Sequence, residues 1–259
     1  MLLATDVGNS QTHLGVFSRD ELVHQWRAST DQRATADELA LQFGEFLSLA
    51  DLSFSREITG VAISSVVPRV TQELREMTIK YFGFAPVVVE PGTKTGIAVL
   101  TDNPREVGAD RIANAVAAHE LFPESAVVVV DFGTAITVDA VSAKGQYLGG
   151  AIAPGLDTSA TALFSATANI RRVELVAPMT TIGKTTVASV QSGIMFGTAA
   201  MVDGLVERVS AEMGGDARVV ATGGLASSVA ELCRTIEKVE PILTLMGLRL
   251  IFERNVTSD

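Results

Sequence analysis

Apolar residues recur along this chain in two rhythms. Short runs rich in β-branched residues at 61–67, 86–89, 126–130 and 217–221 predict buried strands. Between them, 36–49, 69–81, 111–121 and 187–209 place apolar positions at helical spacing and predict helices. The alternation predicts an α/β protein. No Gly/Ser linker, low-complexity tract or long charge run divides it. A coarser repeat does: LLATDVGNSQTHLGVF at 2–17 and VVVVDFGTAITVDAV at 127–141 are each an apolar run closed by Asp-x-Gly and then by small polar residues. Asp6 and Asp131 lie 125 residues apart, too long a period for a solenoid, so the repeat predicts two similarly built lobes, residues 1–116 and 117–259.

The repeated segment has a physical logic. A strand that ends in Asp and turns through Gly puts a carboxylate and free backbone N–H groups at the tip of a hairpin. Gly8 and Gly133 permit the turn or a close backbone approach, and Asn9, Ser10, Thr12, Thr134 and Thr137 add short donors and acceptors. Such a tip can hold phosphate oxygens, with the Asp facing a hydrated divalent cation. One copy alone reads first as an ordinary hairpin with Asp-Gly turn chemistry; two copies shift the reading toward a nucleotide clamp.

Bulk properties narrow the classes. With 47% apolar and 19% charged residues the chain is far from disordered composition. No basic region precedes an extended apolar segment and no apolar run reaches membrane-spanning length, so a cytoplasmic protein without a membrane role is expected. A formal charge of −10 opposes nonspecific attraction to nucleic acid. The lone Cys233 cannot form an internal disulfide, and His13, His24 and His119 show no zinc-ligand spacing. Cys233 and Trp26 suit packing.

Other segments are weaker signals. In RVVATGGLASSVAEL, Gly223 and Gly224 sit where a strand hands over to a helix, a place where a nucleobase or ribose can approach the backbone. TTIGKTT fails the P-loop pattern, because Pro178 stands where the first Gly is required. Gly149, Gly150, Pro154 and Gly155 in YLGGAIAPGL predict a Gly-rich turn region that shapes a substrate wall or simply turns the chain.

Taken in order, DVGNS, NPREVGADRIANA, DFGTAITVDAV, YLGGAIAPGL, IGKTTVASVQSGIMFG and ATGGLA resemble the type III pantothenate kinases of the acetate and sugar kinase, Hsc70 and actin superfamily. The resemblance spans essentially the whole chain. It implies two ribonuclease H-like lobes facing each other across a nucleotide cleft, with the Asp-Gly hairpins as the two phosphate loops. It implies ATP-dependent phosphorylation of the 4′-hydroxyl of pantothenate, the first step of coenzyme A biosynthesis, by a homodimer using Mg2+ and a monovalent cation, K+ or NH4+.

Site residues follow from the same resemblance. Asp6, Val7, Gly8, Asn9, Ser10, Gln11, Thr12 and His13 match the ATP phosphate loop, with Asp6 organising magnesium through water. Asp110 matches the catalytic base, and Gly108, Ala109, Asp110 and Arg111 line the pantothenate site. Asp131 matches the monovalent-cation position, Thr134 an ATP contact and Thr186 a second pantothenate contact. Arg111 and Lys184 are candidate donors to anionic groups; Thr186 is also a candidate helix N-cap.

Two positions depart from the family pattern. Ser10 replaces the common Thr and keeps its hydroxyl. Thr101, in TDNP, stands where the family has a substrate-holding Tyr. That substitution keeps two alternatives open, a kinase for an altered pantetheine-like substrate and a non-catalytic regulatory protein on the same fold.

Overall fold

A computed structural model of the chain describes residues 1–54, 56–167 and 170–256. In chain order its elements are β1 (Leu2–Val7), β2 (Gln11–Ser18), β3 (Glu21–Ser29), α1 (Ala36–Ser48), β4 (Gly60–Ser65), α2 (Pro68–Met77), β5 (Val87–Val88), β6 (Ala98–Val99), α3 (Ala109–Leu121), β7 (Val127–Phe132), β8 (Ala135–Val141) and β9 (Gln146–Pro154). Then follow α4 (Leu156–Ala166), α5 (Thr186–Glu212), β10 (Arg218–Thr222), α6 (Ala226–Val229), β11 (Lys238–Val239) and α7 (Leu243–Val256). Two compact units result. One contains Met1–Ile97, Asp102–Ala117 and the chain from Leu243; the other contains Ala98–Thr101 and Ala118–Ile242.

The first unit is built on a sheet of order β3-β2-β1-β4-β5. β1 pairs antiparallel with β2 and parallel with β4, as a hairpin followed by a helical crossover must. The crossover helix α1 starts at a capping box: Thr35 Oγ1 accepts the Glu38 N–H while Glu38 returns a carboxylate to the Thr35 N–H. Its Leu39, Ala40, Phe43 and Leu47 recur at helical spacing and bury against Leu3, Leu14, Val16 and Ile63. α2 begins on Pro68, whose missing N–H costs nothing there. The helix expected to run to residue 81 is α-helical only to Met77; Thr78–Phe82 form a π-helical turn that Gly83 ends at φ 80°. α7 covers β1, β2 and β4, and Gly15 and Gly60 leave room under Leu245 and Phe252.

The second unit carries a sheet of order β11-β10-β7-β8-β9-β6. Read from the other edge, β9-β8-β7-β10-β11 reproduces β3-β2-β1-β4-β5 strand for strand, with β6 added outside β9. Pairing directions match too: β7 is antiparallel to β8 and parallel to β10. α5 lies on β7 and β8, where Met195, Val202 and Val206 bury with Val128, Val130, Phe132, Ile136 and Val138.

The repeat read from the sequence is therefore a repeat of topology. β1 and β7 even share a burial pattern, with every residue buried except the Asp in fifth place, Asp6 and Asp131. Among the described residues no helix is long and apolar enough to cross a membrane.

Candidate active site

In the first unit, the predicted phosphate loop is the tip of the β1–β2 hairpin. Val7 and Thr12 form the last strand pair, so residues 8–11 make the turn, and Asp6 and His13 stand opposite each other one pair below it. The turn is tight: the Gly8 N–H donates to Gln11 O at 2.9 Å, and a Cβ at Gly8 would lie 3.1 Å from that oxygen. Asn9, Ser10 and Gln11 are exposed, while Thr12 and His13 are buried.

Thr30, which sequence reasoning passed over, braces this tip. Its hydroxyl donates to Gly8 O at 2.8 Å and lies 2.9 Å from Thr12 Oγ1, which makes Thr12 the donor in that pair; its N–H reaches Ser10 O at 3.0 Å. Nothing local marks Thr30, since it acts across the β2–β3 pairing. His13 Nε2 lies 3.0 Å from Gln25 Oε1, and burial, reinforced by the charge of Arg27, lowers its pKa. A neutral imidazole supplies no fixed cation to a phosphate. The loop therefore offers a half-buried carboxylate, backbone N–H groups and neutral side chains, a hard-oxygen and donor set suited to Mg2+-bound phosphates.

Asp110 is the second residue of α3, a place where its charge meets the positive end of the helix. Its carboxylate folds back to accept the Arg111 N–H at 2.8 Å and passes over Gly108, where any Cβ would collide with Oδ1. A Cβ at Gly108 would also lie 3.7 Å from Val66 Cγ1, and the Val66 N–H donates to Val7 O at 3.0 Å. Asp110 and the first loop thus share one end of the sheet, beyond the carboxyl ends of β1 and β4. Ligands of open α/β sheets bind at such ends.

In the second unit, Phe132 and Ile136 form the last pair of the β7–β8 hairpin, and residues 133–135 make the turn. Thr134 is exposed at the tip. Its carbonyl accepts the Gly155 N–H at 3.1 Å and the Thr158 hydroxyl at 2.7 Å, which seats the start of α4 on the turn. Gly155 is required there, because a Cβ would enter the Gly133 and Thr134 backbone. Asp131 lies beside Thr222 of β10, and Gly223, at φ 99°, comes so close that a Cβ would sit 2.5 Å from Asp131 Oδ1. The ATGG turn singled out as a possible base or ribose contact is thus packed against the Asp131 carboxylate. It leads into α6, only four residues long, and a 3-10 turn at Ala230–Leu232.

Other sequence expectations need correction. Gly149 and Gly150 are not in a turn: they belong to β9, and only Gly155 begins a helix. Thr186 is not the N-cap of α5. Thr185 holds that place in extended conformation, its Oγ1 accepting the Ala188 N–H at 3.1 Å, so Thr186 is the first helical residue and is exposed. Lys184 is exposed in the loop before it. Thr101 follows β6, with its Oγ1 buried and without a hydrogen-bond partner. Cys233 lies just beyond the 3-10 turn. Burial, with Asp203 nearby, pushes its thiol up to about 12, which leaves it unreactive. Trp26 stacks between His24 and Phe46 at 5.8 Å from each, the packing role its strand position predicts.

Comparisons with known proteins identify the family. The family model for type III pantothenate kinase matches residues 2–208. The type III pantothenate kinase of Frankia alni is 51% identical over 257 residues, covering 99% of this chain and 100% of its own. Among solved structures, a Campylobacter jejuni protein described as of the Baf transcriptional activator family superposes with a TM-score of 0.61 at 18% identity, covering 98% of each chain. The polyphosphate/ATP-glucomannokinase of an Arthrobacter species superposes with a TM-score of 0.53 at 15% identity, covering 100% of this chain and 99% of its own. Those last two likenesses concern the fold alone.

Proposed function

The chain belongs to the type III pantothenate kinase family, and from that premise we propose how its residues divide the work of moving a phosphoryl group from ATP to pantothenate, the first step of coenzyme A biosynthesis. The observation that carries the reading is the placement of Asp110 with the first phosphate loop at one sheet end. Phosphoryl transfer passes through a loose, in-line transition state, so the protein's work is positioning, charge stabilisation and acceptance of one proton. Asp110 accepts the proton of the 4′-hydroxyl as it attacks the γ-phosphorus. A carboxylate suffices, because in a loose transition state the proton can leave late.

The loop from Asp6 to His13 binds the ATP phosphates through backbone N–H groups, and Asp6 orients the water shell of Mg2+. When bound, the divalent ion neutralises charge developing on the phosphate oxygens. Asp131 holds a monovalent cation, K+ or NH4+, and Thr134 contacts ATP. Gly108, Ala109, Arg111, Thr101 and Thr186 bind pantothenate. The resemblance also supports a homodimer, with substrate close to the subunit interface, and a cytoplasmic location. Thr101 stands where the family has a phenol, and with its hydroxyl buried it offers substrate neither a ring nor an exposed hydroxyl, so its part in binding is that of the backbone and methyl group it brings there.

The test is ADP formation by the purified protein with ATP, Mg2+ and K+, with and without pantothenate, beside Asp110→Asn. Turnover that requires pantothenate and falls about 10²- to 10⁴-fold in the variant is expected. Near wild-type turnover in Asp110→Asn would remove it as the base; ADP formation indifferent to pantothenate would point to another acceptor.

A further inference from the structure

Asp139 is 1% exposed, yet it lies on β8 only two residues from Thr137, which pairs with Asp131. A buried carboxylate is costly unless its oxygens are satisfied. Here each oxygen has a donor: the Tyr147 hydroxyl reaches Oδ1 at 2.7 Å and the Thr137 hydroxyl reaches Oδ2 at 2.8 Å. Tyr147 is itself buried, at 1% exposure.

The YLGG segment is what makes this arrangement possible. In register, Asp139 pairs with Gly150 and Ala140 with Gly149, but Val141 then pairs with Tyr147, so Leu148 is an extra, bulged residue. In a regular ladder Leu148 would oppose Val141 and Tyr147 would project from the other face. The bulge brings Tyr147 onto the face of Val141 and Asp139, diagonal to the carboxylate. Gly149 takes up the bulge at φ 121°. Gly150 lets β9 close on β8, since a Cβ there would strike Val138 O and stand 2.7 Å from Asp139 Oδ1.

Two functional segments meet at this cluster, both within the second unit. Through Thr137 it touches the strand pair that carries Asp131 and ends at Thr134. Through Tyr147 it touches β6, whose extension places the Leu100 N–H on Tyr147 O at 2.8 Å and Thr101 next in line; a Cβ at Gly149 would lie 3.8 Å from Thr101 Cγ2. We infer that Asp139 is a positioning residue which, through Tyr147 and Thr137, sets the spacing between the Thr101 substrate segment and the Asp131–Thr134 phosphate loop. The inference rests on the kinase reading of those two segments. Asp139 touches neither substrate; it fixes where their contacts stand.

The test compares Tyr147→Phe, Thr137→Val and Thr137→Ser with wild type by steady-state kinetics for both substrates and by thermal unfolding. Thr137→Val removes a hydroxyl at constant shape and Thr137→Ser restores it, so the series does not depend on Asp139→Asn folding. Loosening a positioned site costs rate steeply, and a fall of about 10-fold in kcat/KM for both ATP and pantothenate is expected in Tyr147→Phe and Thr137→Val, with recovery in Thr137→Ser. The double variant should lose little more than the worse single one, because both donors act through one carboxylate. Wild-type kcat and KM in the variants at temperatures where they are folded, with only the unfolding midpoint lowered, would overturn the inference and leave the kinase reading intact. Absence of pantothenate-dependent turnover in the wild type would overturn both.

Discussion

The β1–β2 and β7–β8 hairpins begin alike and finish differently. Each starts on a buried central strand whose fifth residue is the one partly exposed Asp, and each turns one pair beyond it. The first turn spans residues 8–11, the second 133–135. The first is braced by a distant side chain, Thr30, and the second by the start of α4, the helix that follows β9, through Gly155 and Thr158. Opposite Asp6 stands His13, held neutral by burial; opposite Asp131 stands Thr137, tied to a buried carboxylate. A duplicated strand frame thus fixes where the two acids stand, while the surroundings fix what each can bind. The first turn is longer and carries exposed Asn9, Ser10 and Gln11, whereas the second is shorter and its carboxylate is hemmed in by Gly223.

The largest test of this division removes each acid in turn. Asp6→Asn should lower turnover about 10- to 100-fold, as loss of a group orienting metal-bound water does, and excess Mg2+ should restore part of it. Asp131→Asn should instead flatten the dependence of rate on K+ and leave the Mg2+ dependence in place. Titrating each ion against each variant checks both, and matching profiles would erase the distinction between the hairpins.

Backbone substitutions should divide them next. Gly223→Ala combines a positive φ with a methyl group against Asp131 and the Phe132 backbone, and should cost about 3 kcal/mol in urea unfolding. Gly8→Ala has only a close carbonyl to accommodate and should cost about 1 kcal/mol. Equal losses would mean that the two turns are equally constrained.

The smallest effect belongs to His13. Its folded pKa lies below the ordinary 6.5, so in that window the unfolded chain binds more protons than the folded one. Unfolding free energy should therefore fall as pH drops through 6.5 toward the folded pKa, and His13→Gln should lack that component. The contrast is read from urea unfolding at pH 7 and pH 5; parallel losses in both proteins would show that His13 is not its source.

Much of this was legible in the chain. The four strand cores and four helix cores read from apolar spacing between 36 and 221 lie where that spacing puts them, because burial imposes its period on the sequence. The Asp-x-Gly repeat was visible because both copies need the same residues at the same strand end. Thr30 was not visible, because its role comes from a strand pairing. The YLGG segment read as a turn, since a glycine pair looks alike in a turn and in a bulged strand; only the register with β8 distinguishes them.

By itself, then, the sequence determined what depends on local order: the two hairpin frames, the acids they carry and the motif series that identifies the family. Tertiary structure decided what depends on distant partners. It returned α7 to the unit that holds β1, gave Thr185 rather than Thr186 the capping role, set Gly223 against Asp131 and enclosed Asp139 between Thr137 and Tyr147. The physical reason is reach: turn chemistry and hydrophobic period act over a few residues, whereas the satisfaction of a buried polar group is settled by whichever strand the fold lays beside it.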